Sequence, residues 1–292
     1  MKEPVLAILV LAFCSVCWGE TPDVAGVNPQ AKAAALSQND AAQPAPNSPT
    51  SPATCAFTFT SSAGDTFLKY CVTANGNVTV FQTPEGHEQI AVGQIGEGYG
   101  ICDFGNLKGV QYFDYAEGGD SGNWGPATVL SQNAKSVKIV RKTSDGIWTL
   151  TQTFTQVAGT APSVKIGMTL ENNSNVAREV NLLRYADADP DGNELSDFAA
   201  TANSAFAFND WDLNFPRSNF GLMLQGAPFT PDPRSGPVGF VQLVQEGPSP
   251  CNPFNDTQNE PLIHAVASIG MLYDIVVPAG RSKTVTVSYK GL

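Results

Sequence analysis

The sequence predicts an all-β protein, a large antiparallel β-sandwich with about a dozen or more strands. Three observations predict it. Apolar and polar residues alternate along many short segments, turn-forming dipeptides separate these segments, and no segment has a convincing helical period. Successive side chains of a strand point to opposite faces, so each alternating segment is typical of a strand with one buried face.

The alternation is clearest in the middle and at the end of the chain. In residues 148–155, Trp148 and Phe154 share one face, and threonines occupy the other. Residues 164–171 and 284–289 alternate in the same way. Threonine, valine and aromatic residues also suit a pleated surface, so all three segments are predicted strands.

Turn signals lie between the predicted strands. Asn75-Gly76 and Asp145-Gly146 favour the positive φ angles of a tight hairpin turn. Residues 262–277 are apolar enough to be argued as a helix. Gly270 and the β-branched residues near Ile275 favour strand instead.

The first 53 residues are predicted to lie outside the fold. Residues 1–19 combine a basic start, an apolar run of about ten residues and a small residue at Gly19, a pattern typical of a secretory signal peptide. The run is too short to cross a bilayer, which takes about 20 apolar residues. A lipid anchor at Cys14 or Cys17 is the alternative.

An Ala/Pro/Gln/Ser-rich tether follows at residues 20–53. It has too few large apolar residues to offset the entropy lost on ordering, so we expect it to be disordered. Residues 54–292 are then a single β-sandwich domain, long enough for one sizeable core. The predicted location is outside the cytoplasm: periplasmic, cell-surface or extracellular.

The net charge of the chain limits which partners it can bind. The formal net charge is −11, with 16 Lys and Arg against 27 Asp and Glu. Nucleic-acid backbones and anionic membrane surfaces both need clustered basic residues, so neither is expected as a partner. No transmembrane segment is predicted, and the oligomeric state stays open.

Four cysteines follow the signal peptide: Cys55, Cys71, Cys102 and Cys251. An even number in an exported chain predicts two disulfides, and three pairings are possible. We favour Cys55–Cys71 with Cys102–Cys251, because the first pair closes a short loop. A zinc site is the alternative, but the wide spacing and only two histidines disfavour it.

Two segments carry a resemblance to known proteins. One runs from the turn at Asn172-Asn173-Ser174 to VNLLRYAD at 180–187, and the other is VPAGRSKTV at 277–285. Both resemble strand–turn–strand segments of exported bacterial β-sandwich proteins, some of which are similar to the galactose-mutarotase-like supersandwich. The resemblance covers about a third of the domain and implies architecture more than chemistry.

An acidic segment predicts a calcium site. Its oxygen-bearing residues are Asp187, Asp189, Asp191, Asn193 and Asp197. Carboxylates at alternate positions followed by Gly192 match the first half of a calcium loop. The second half departs from that pattern, since Phe198 stands where a bidentate glutamate is expected. Calcium is therefore the predicted cofactor, with a solvated acidic turn as the alternative.

Two tryptophan-bearing segments are the predicted ligand-binding positions. Trp124 lies in a glycine-rich loop, and Trp211 stands beside Asp212. Loops on a rigid sandwich often carry binding, and a planar ring can stack on the apolar face of a sugar. The alternative is that these rings cap the core.

Catalytic patterns are scarce. Neither His87 nor His264 has an evident partner in the sequence, and no Gly-x-Ser-x-Gly elbow is present. The sequence therefore favours a non-catalytic exported β-sandwich that binds a carbohydrate or another surface ligand. The alternatives are a carbohydrate-active enzyme (an epimerase, lyase or glycosidase) and a structural protein of the envelope or surface.

Overall fold

The computed structural model describes residues 54–90, 96–105, 109–116, 119–192, 195–209, 220–227, 234–239, 248–253 and 261–292, with the backbone alone for 234–239 and His264. The predicted signal peptide and tether lie outside these residues. The domain boundaries therefore stay predictions.

The described residues form eighteen strands and no α-helix. In chain order the strands are β1 (Cys55–Ser61), β2 (Leu68–Thr73), β3 (Val78–Gln82), β4 (Glu97–Asp103), β5 (Val110–Tyr115), β6 (Gly119–Asp120), β7 (Thr128–Gln132), β8 (Ser136–Lys142), β9 (Trp148–Val157), β10 (Ser163–Asn172), β11 (Arg178–Asp187), β12 (Ser196–Thr201), β13 (Ser204–Asn209), β14 (Gly221–Gly226), β15 (Arg234–Gly239), β16 (Leu262–Ala265), β17 (Ala267–Val277) and β18 (Ser282–Gly291). Two short 3₁₀ turns, Gly64–Thr66 and Pro190–Gly192, complete the regular structure. Within the described ranges no helix has the length and apolarity that a bilayer span requires.

The strands form three antiparallel sheets. The spatial orders are β1-β2-β3, then β16-β12-β13-β14-β18-β10-β9-β8-β7, and β15-β17-β11-β4-β5-β6. Hairpins occur where the sequence predicted them: Gly76 (φ +91°) lies between β2 and β3, and Gly146 (φ +74°) between β8 and β9. The all-β prediction is confirmed, and the 262–277 segment forms two strands, Leu262–Ala265 and Ala267–Val277.

Burial explains the two kinds of strand pattern. The nine-stranded sheet has one buried face, so its strands alternate, as in β10 with buried Val164 and exposed Lys165. The six-stranded sheet is covered on both faces around β4, where all seven residues are buried. The main core combines side chains from the facing sheets, and a second cluster covers the far side of the six-stranded sheet.

Both predicted disulfides are confirmed. Cys55–Cys71 joins β1 to β2, and Cys102–Cys251 joins β4 to residues 248–253. The second bridge forms a small buried cluster with Phe104. Since the sulfurs are paired with each other, the zinc alternative does not apply to these four cysteines.

A buried ion pair joins the three sheets. The guanidinium of Arg184 in β11 contacts the carboxylate of Glu97 in β4, and both side chains are fully buried. Glu97 also accepts hydrogen bonds from the Val78 amide (2.6 Å) and the Tyr289 hydroxyl (2.7 Å). Arg184 donates to the Gln152 side-chain oxygen in β9 at 2.6 Å. A buried charge needs such partners, because isolation from water is costly.

Two more arginines pair with carboxylates of the six-stranded sheet. Arg141 in β8 reaches across to the carboxylates of Asp114 and Asp120. Arg178 contacts Asp103 at 2.8 Å, and Asp103 also accepts from the Trp148 indole at 3.0 Å. The Arg141 ion pairs and the hydrogen bond from Trp148 to Asp103 therefore connect the nine-stranded sheet to the six-stranded sheet.

Candidate functional site

Trp124 lies at the edge of the core. Its side chain is 9% exposed, and its ring meets Tyr99 and Tyr112 edge-on at centroid distances of 5.6 and 6.2 Å. The guanidinium of Arg141 lies 5.2 Å from the ring centroid. This packing corresponds to the core-capping alternative, and a binding role for Trp124 stays a prediction. Trp211 and Asp212 lie outside the described residues.

The carboxylates of the acidic segment between β11 and β12 contact different partners. Asp187 accepts a hydrogen bond from the Ser268 hydroxyl at 2.6 Å. Burial raises the pKa of Asp187 to about 7, with Asp189 adding to the rise and Ser268 opposing it. Asp197 lies in β12 on the face opposite the buried Ser196. Asn193 lies outside the described residues.

These contacts bear on the calcium prediction. Among the described residues, no group of three or more His, Cys, Asp or Glu side chains is arranged to hold a metal ion. Asp191, the third of the alternating carboxylates, contacts His87 instead. A calcium ion taken up here would therefore have to compete with His87 for that carboxylate. Calcium binding by this segment stays a prediction.

Melting curves with and without calcium test this prediction. If the segment binds calcium, about 1 mM calcium raises the melting temperature, because a ligand that binds only the folded state stabilises it. Asp189→Ala should abolish the rise, whereas Asp65→Asn, in the 3₁₀ turn before β2, should keep it. Identical melting temperatures with calcium and with a chelator would contradict the prediction.

The same segment contributes to a pair that the sequence did not reveal. The Nδ1 atom of His87 lies 2.8 Å from Oδ1 of Asp191, and the side chains are 30% and 39% exposed. The His87 ring stacks on the Phe220 ring, with centroids 3.7 Å apart and planes 28° from parallel. We call the His87–Asp191 pair, together with the Phe220 ring that stacks on it, the dyad site. Asp191 contacts one edge of the imidazole and Phe220 covers one face, while the rest of the His87 side chain remains open to solvent.

Backbone hydrogen bonds hold the two turns that carry His87 and Asp191. His87 stands in a tight turn, where its amide donates to the Pro84 carbonyl and its carbonyl accepts from the Thr83 amide, both at 3.1 Å. Asp191 has a positive φ of 60°, a conformation that aspartate tolerates better than most residues. The Asp191 amide donates to the Glu88 carbonyl at 2.7 Å, which joins the two turns directly.

Glu88 anchors the histidine turn from inside. Its Oε1 atom accepts hydrogen bonds from the amides of Phe81, Gln89 and Ile90 at 2.7, 3.2 and 3.3 Å. Burial raises the pKa of Glu88, and these amide donors oppose the rise. Because the Glu88 carboxyl faces its own backbone, it serves to hold the turn, and the outward-facing chemistry belongs to His87.

The contact bears on the tautomer of His87. A carboxylate that accepts here requires the hydrogen on Nδ1, and that neutral tautomer presents the lone pair of Nε2. Nε2 forms no hydrogen bond within the described part of the chain. A carboxylate-oriented imidazole with a free second nitrogen can take a proton from a bound molecule and return one. The dyad site is thus equipped for general acid–base chemistry.

The sequence could not reveal this pair. His87 and Asp191 are 104 residues apart and lie in separate turns. Asp191 matched a local calcium pattern, and His87 had no local partner. The sequence shows no evident partner for either histidine, and the structure places Asp191 against His87. The side chain of His264 lies outside the described residues.

No protein-family model and no curated protein matches the chain. Solved structures do. An aldose epimerase homologue from C. elegans is 9% identical with a TM-score of 0.45, and the alignment covers 81% of this chain and 98% of that one. A protein from Synechocystis sp. PCC 6803 is 9% identical with a TM-score of 0.44, covering 85% and 99% of the two chains. Likeness at this level says nothing about activity.

Proposed function

We propose that this protein is an exported carbohydrate-active β-sandwich in which the His87–Asp191 pair transfers protons to and from a bound sugar. The observation that carries the proposal is the 2.8 Å contact that orients the half-open imidazole. This contact favours a carbohydrate-active enzyme over a non-catalytic binding protein. Epimerase, lyase and glycosidase reactions all require a proton to be removed or delivered at the substrate.

Different observations support the other parts of the proposal. The sugar class rests on the resemblance of residues 172–187 and 277–285 to exported bacterial β-sandwich proteins, some of which are similar to the galactose-mutarotase-like supersandwich. Export is supported by the signal pattern of residues 1–19 and by two disulfides, which persist in oxidising compartments.

The proposed step uses the two ring nitrogens differently. Nε2 takes a proton from a sugar hydroxyl or carbon acid and becomes protonated. The Asp191 carboxylate, hydrogen-bonded to Nδ1, stabilises the resulting imidazolium. Nε2 then returns the proton to the rearranged sugar or to the leaving group. Stacking against Phe220 keeps the ring plane fixed throughout.

Activity of matched variants tests the proposal. Conversion of free sugars, uronic-acid oligosaccharides and aryl glycosides would be followed by NMR and by absorbance. His87→Asn should lower the rate of the accepted substrate about 10²- to 10⁴-fold, the usual contribution of a general acid–base group. Asp191→Asn should lower it less, because the imidazole is then present but poorly oriented.

The control lies in the same turn. Glu85 accepts a hydrogen bond only from the Gly64 amide in the described structure, so Glu85→Gln should retain wild-type activity. Melting curves of all three variants would show that the fold is intact. No turnover of any substrate, or equal rates for wild type and His87→Asn, would contradict the proposed catalysis. Sugar binding without turnover would instead favour the non-catalytic alternative.

A further inference from the structure

The solvent-facing side of β8, β9, β10 and β18 has a distinctive composition. Along these strands the inward residues are buried, as Ile139 and Ile166 show, while the outward ones are almost all threonine, serine or lysine. Few apolar side chains interrupt this surface, and none of the described chain packs over it as a further layer. We call it the lysine face, after Lys138, Lys142, Lys165 and Lys290, which point outward from it.

The charge of this face is opposite to that of the whole chain. Four lysines stand against a single outward carboxylate, Glu171, although the chain carries a net charge of −11. Lys138, Lys142 and Lys165 form no ion pair among the residues that the structure describes. Lys290 donates to the Gln225 side chain at 2.6 Å, which leaves its charge unneutralised. The positive charge of this face is therefore available to an external anion.

Strand register places three of the lysines along an oblique line. Lys138 is in the same cross-strand row as Thr153, Gly167 and Thr286, and Lys165 lies one row further on. With strands about 4.8 Å apart and about 3.3 Å per residue, Lys138 and Lys165 are about 12 Å apart at their backbones. Lys290 is the diagonal neighbour of Lys165 on β18, at about 7–8 Å.

The glycine at position 167 is a second, independent observation that bears on ligand binding at this face. It stands in the middle of the ten-residue strand β10, between Thr153 and Thr286 of the flanking strands. A Cβ atom at this position would meet nothing within 4 Å, and its φ is not positive. Neither packing nor backbone conformation within the described chain therefore requires glycine. Glycine weakens a strand interior, and it often marks a place where a ligand or another backbone approaches closely.

We propose that the lysine face binds an acidic polysaccharide. The carboxylates of the polymer would pair with the line of lysines, and its hydroxyls would exchange hydrogen bonds with the threonine and serine hydroxyls between them. The gap above Gly167 lets the polymer approach the sheet closely. A duplex nucleic acid would require a longer basic track than four lysines on a chain of net charge −11. This binding does not depend on the dyad site.

Binding of polygalacturonate to the full chain tests the proposal, with neutral dextran as the uncharged polymer. At low salt, Lys138→Gln/Lys165→Gln should weaken polygalacturonate binding at least about ten-fold, and added salt should weaken the wild type in the same way. Lys69→Gln, which removes one charge from β2 in the three-stranded sheet, should change binding less than about two-fold.

Gly167→Val separates a binding role from a structural one. Valine suits a strand and has free space here, so the melting temperature should stay equal or rise. Binding should nevertheless fall about five-fold or more, because the side chain fills the gap. Unchanged binding by Gly167→Val or by the double lysine variant would overturn the proposal. Single-stranded DNA bound as tightly as polygalacturonate would also overturn it, showing a general polyanion surface. Because the readout is binding, failure here would leave the proposed proton transfer at His87 unaffected.

Discussion

Arg184→Met is expected to lower the free energy of unfolding by about 3–5 kcal/mol at pH 8, because it leaves a carboxylate without its cation in the core. Arg184 and Glu97 are both fully buried and in direct contact. Methionine would fill much of the space of the arginine stem. Among the described residues, it would leave Glu97 with only the Val78 amide and Tyr289 hydroxyl as donors. Removing one partner of a buried pair is far more damaging than replacing both.

The loss should depend on pH. Burial raises the pKa of Glu97 to about 7, and Arg184 opposes the rise. A carboxyl whose pKa is higher in the folded state than in the unfolded chain favours folding at low pH, and this contribution is lost as pH rises through the folded pKa. Without Arg184 the folded pKa of Glu97 rises further. The variant should therefore lose stability most steeply between about pH 4.5 and a point above pH 7.

Urea unfolding of wild type and variant at pH 5 and pH 8 would measure both effects. Arg281→Met, in an exposed turn before β18, is the matched control and should change the free energy of unfolding by less than about 0.5 kcal/mol. Arg184→Met/Glu97→Gln should recover part of the lost free energy of unfolding, since the core then contains no unpaired carboxylate. A deficit that is the same at both pH values would show that lost packing, and not the unpaired carboxylate, is responsible.

Removing the Cys102–Cys251 disulfide should be the other large effect. The Cys102→Ala/Cys251→Ala variant is expected to lose about 4–5 kcal/mol, because the bridge closes a long loop in the unfolded chain. The two cysteines are 149 residues apart, whereas Cys55 and Cys71 are separated by 16. The loop-entropy account gives about 3 kcal/mol for the shorter bridge.

Guanidinium titrations of the two double-alanine variants would compare the bridges directly. Residues 248–253 keep other contacts with the six-stranded sheet, such as the 2.7 Å hydrogen bond from the Tyr115 hydroxyl to the Pro248 carbonyl. Lost stability without lost structure is therefore expected, and near-ultraviolet circular dichroism would check that the native packing remains. An equal or larger loss from the Cys55→Ala/Cys71→Ala variant would contradict the loop-length argument.

Much of the architecture was predictable because it depends on local residue patterns. The alternation around Trp148 and Phe154 needs only the period of a strand and one apolar core, and the structure buries both rings. The turn at Asp145-Gly146 needs only a residue pair that accepts positive φ. The Cys55–Cys71 bridge follows from a short separation, and the second bridge follows by elimination once the first is chosen.

The sites were much less predictable. Trp124 lies in a glycine-rich loop that reads as an exposed binding loop, yet its ring packs beside Tyr99 from another strand. Asp191 fits a local calcium pattern, but its carboxylate contacts His87, 104 residues away. Gly167 is unremarked in the sequence, because only strand register shows that it lies in the middle of a polar face.

The sequence by itself determined the all-β class and the hairpins, since each depends on residue type and short-range spacing, and it favoured one of three possible disulfide pairings. Only the tertiary structure decided which charged and titratable groups meet. Contacts such as His87–Asp191 and Arg184–Glu97 join separate turns and strands, and many sheet arrangements are compatible with the same alternating pattern. The chemistry of this protein therefore follows from how its sheets are registered and stacked.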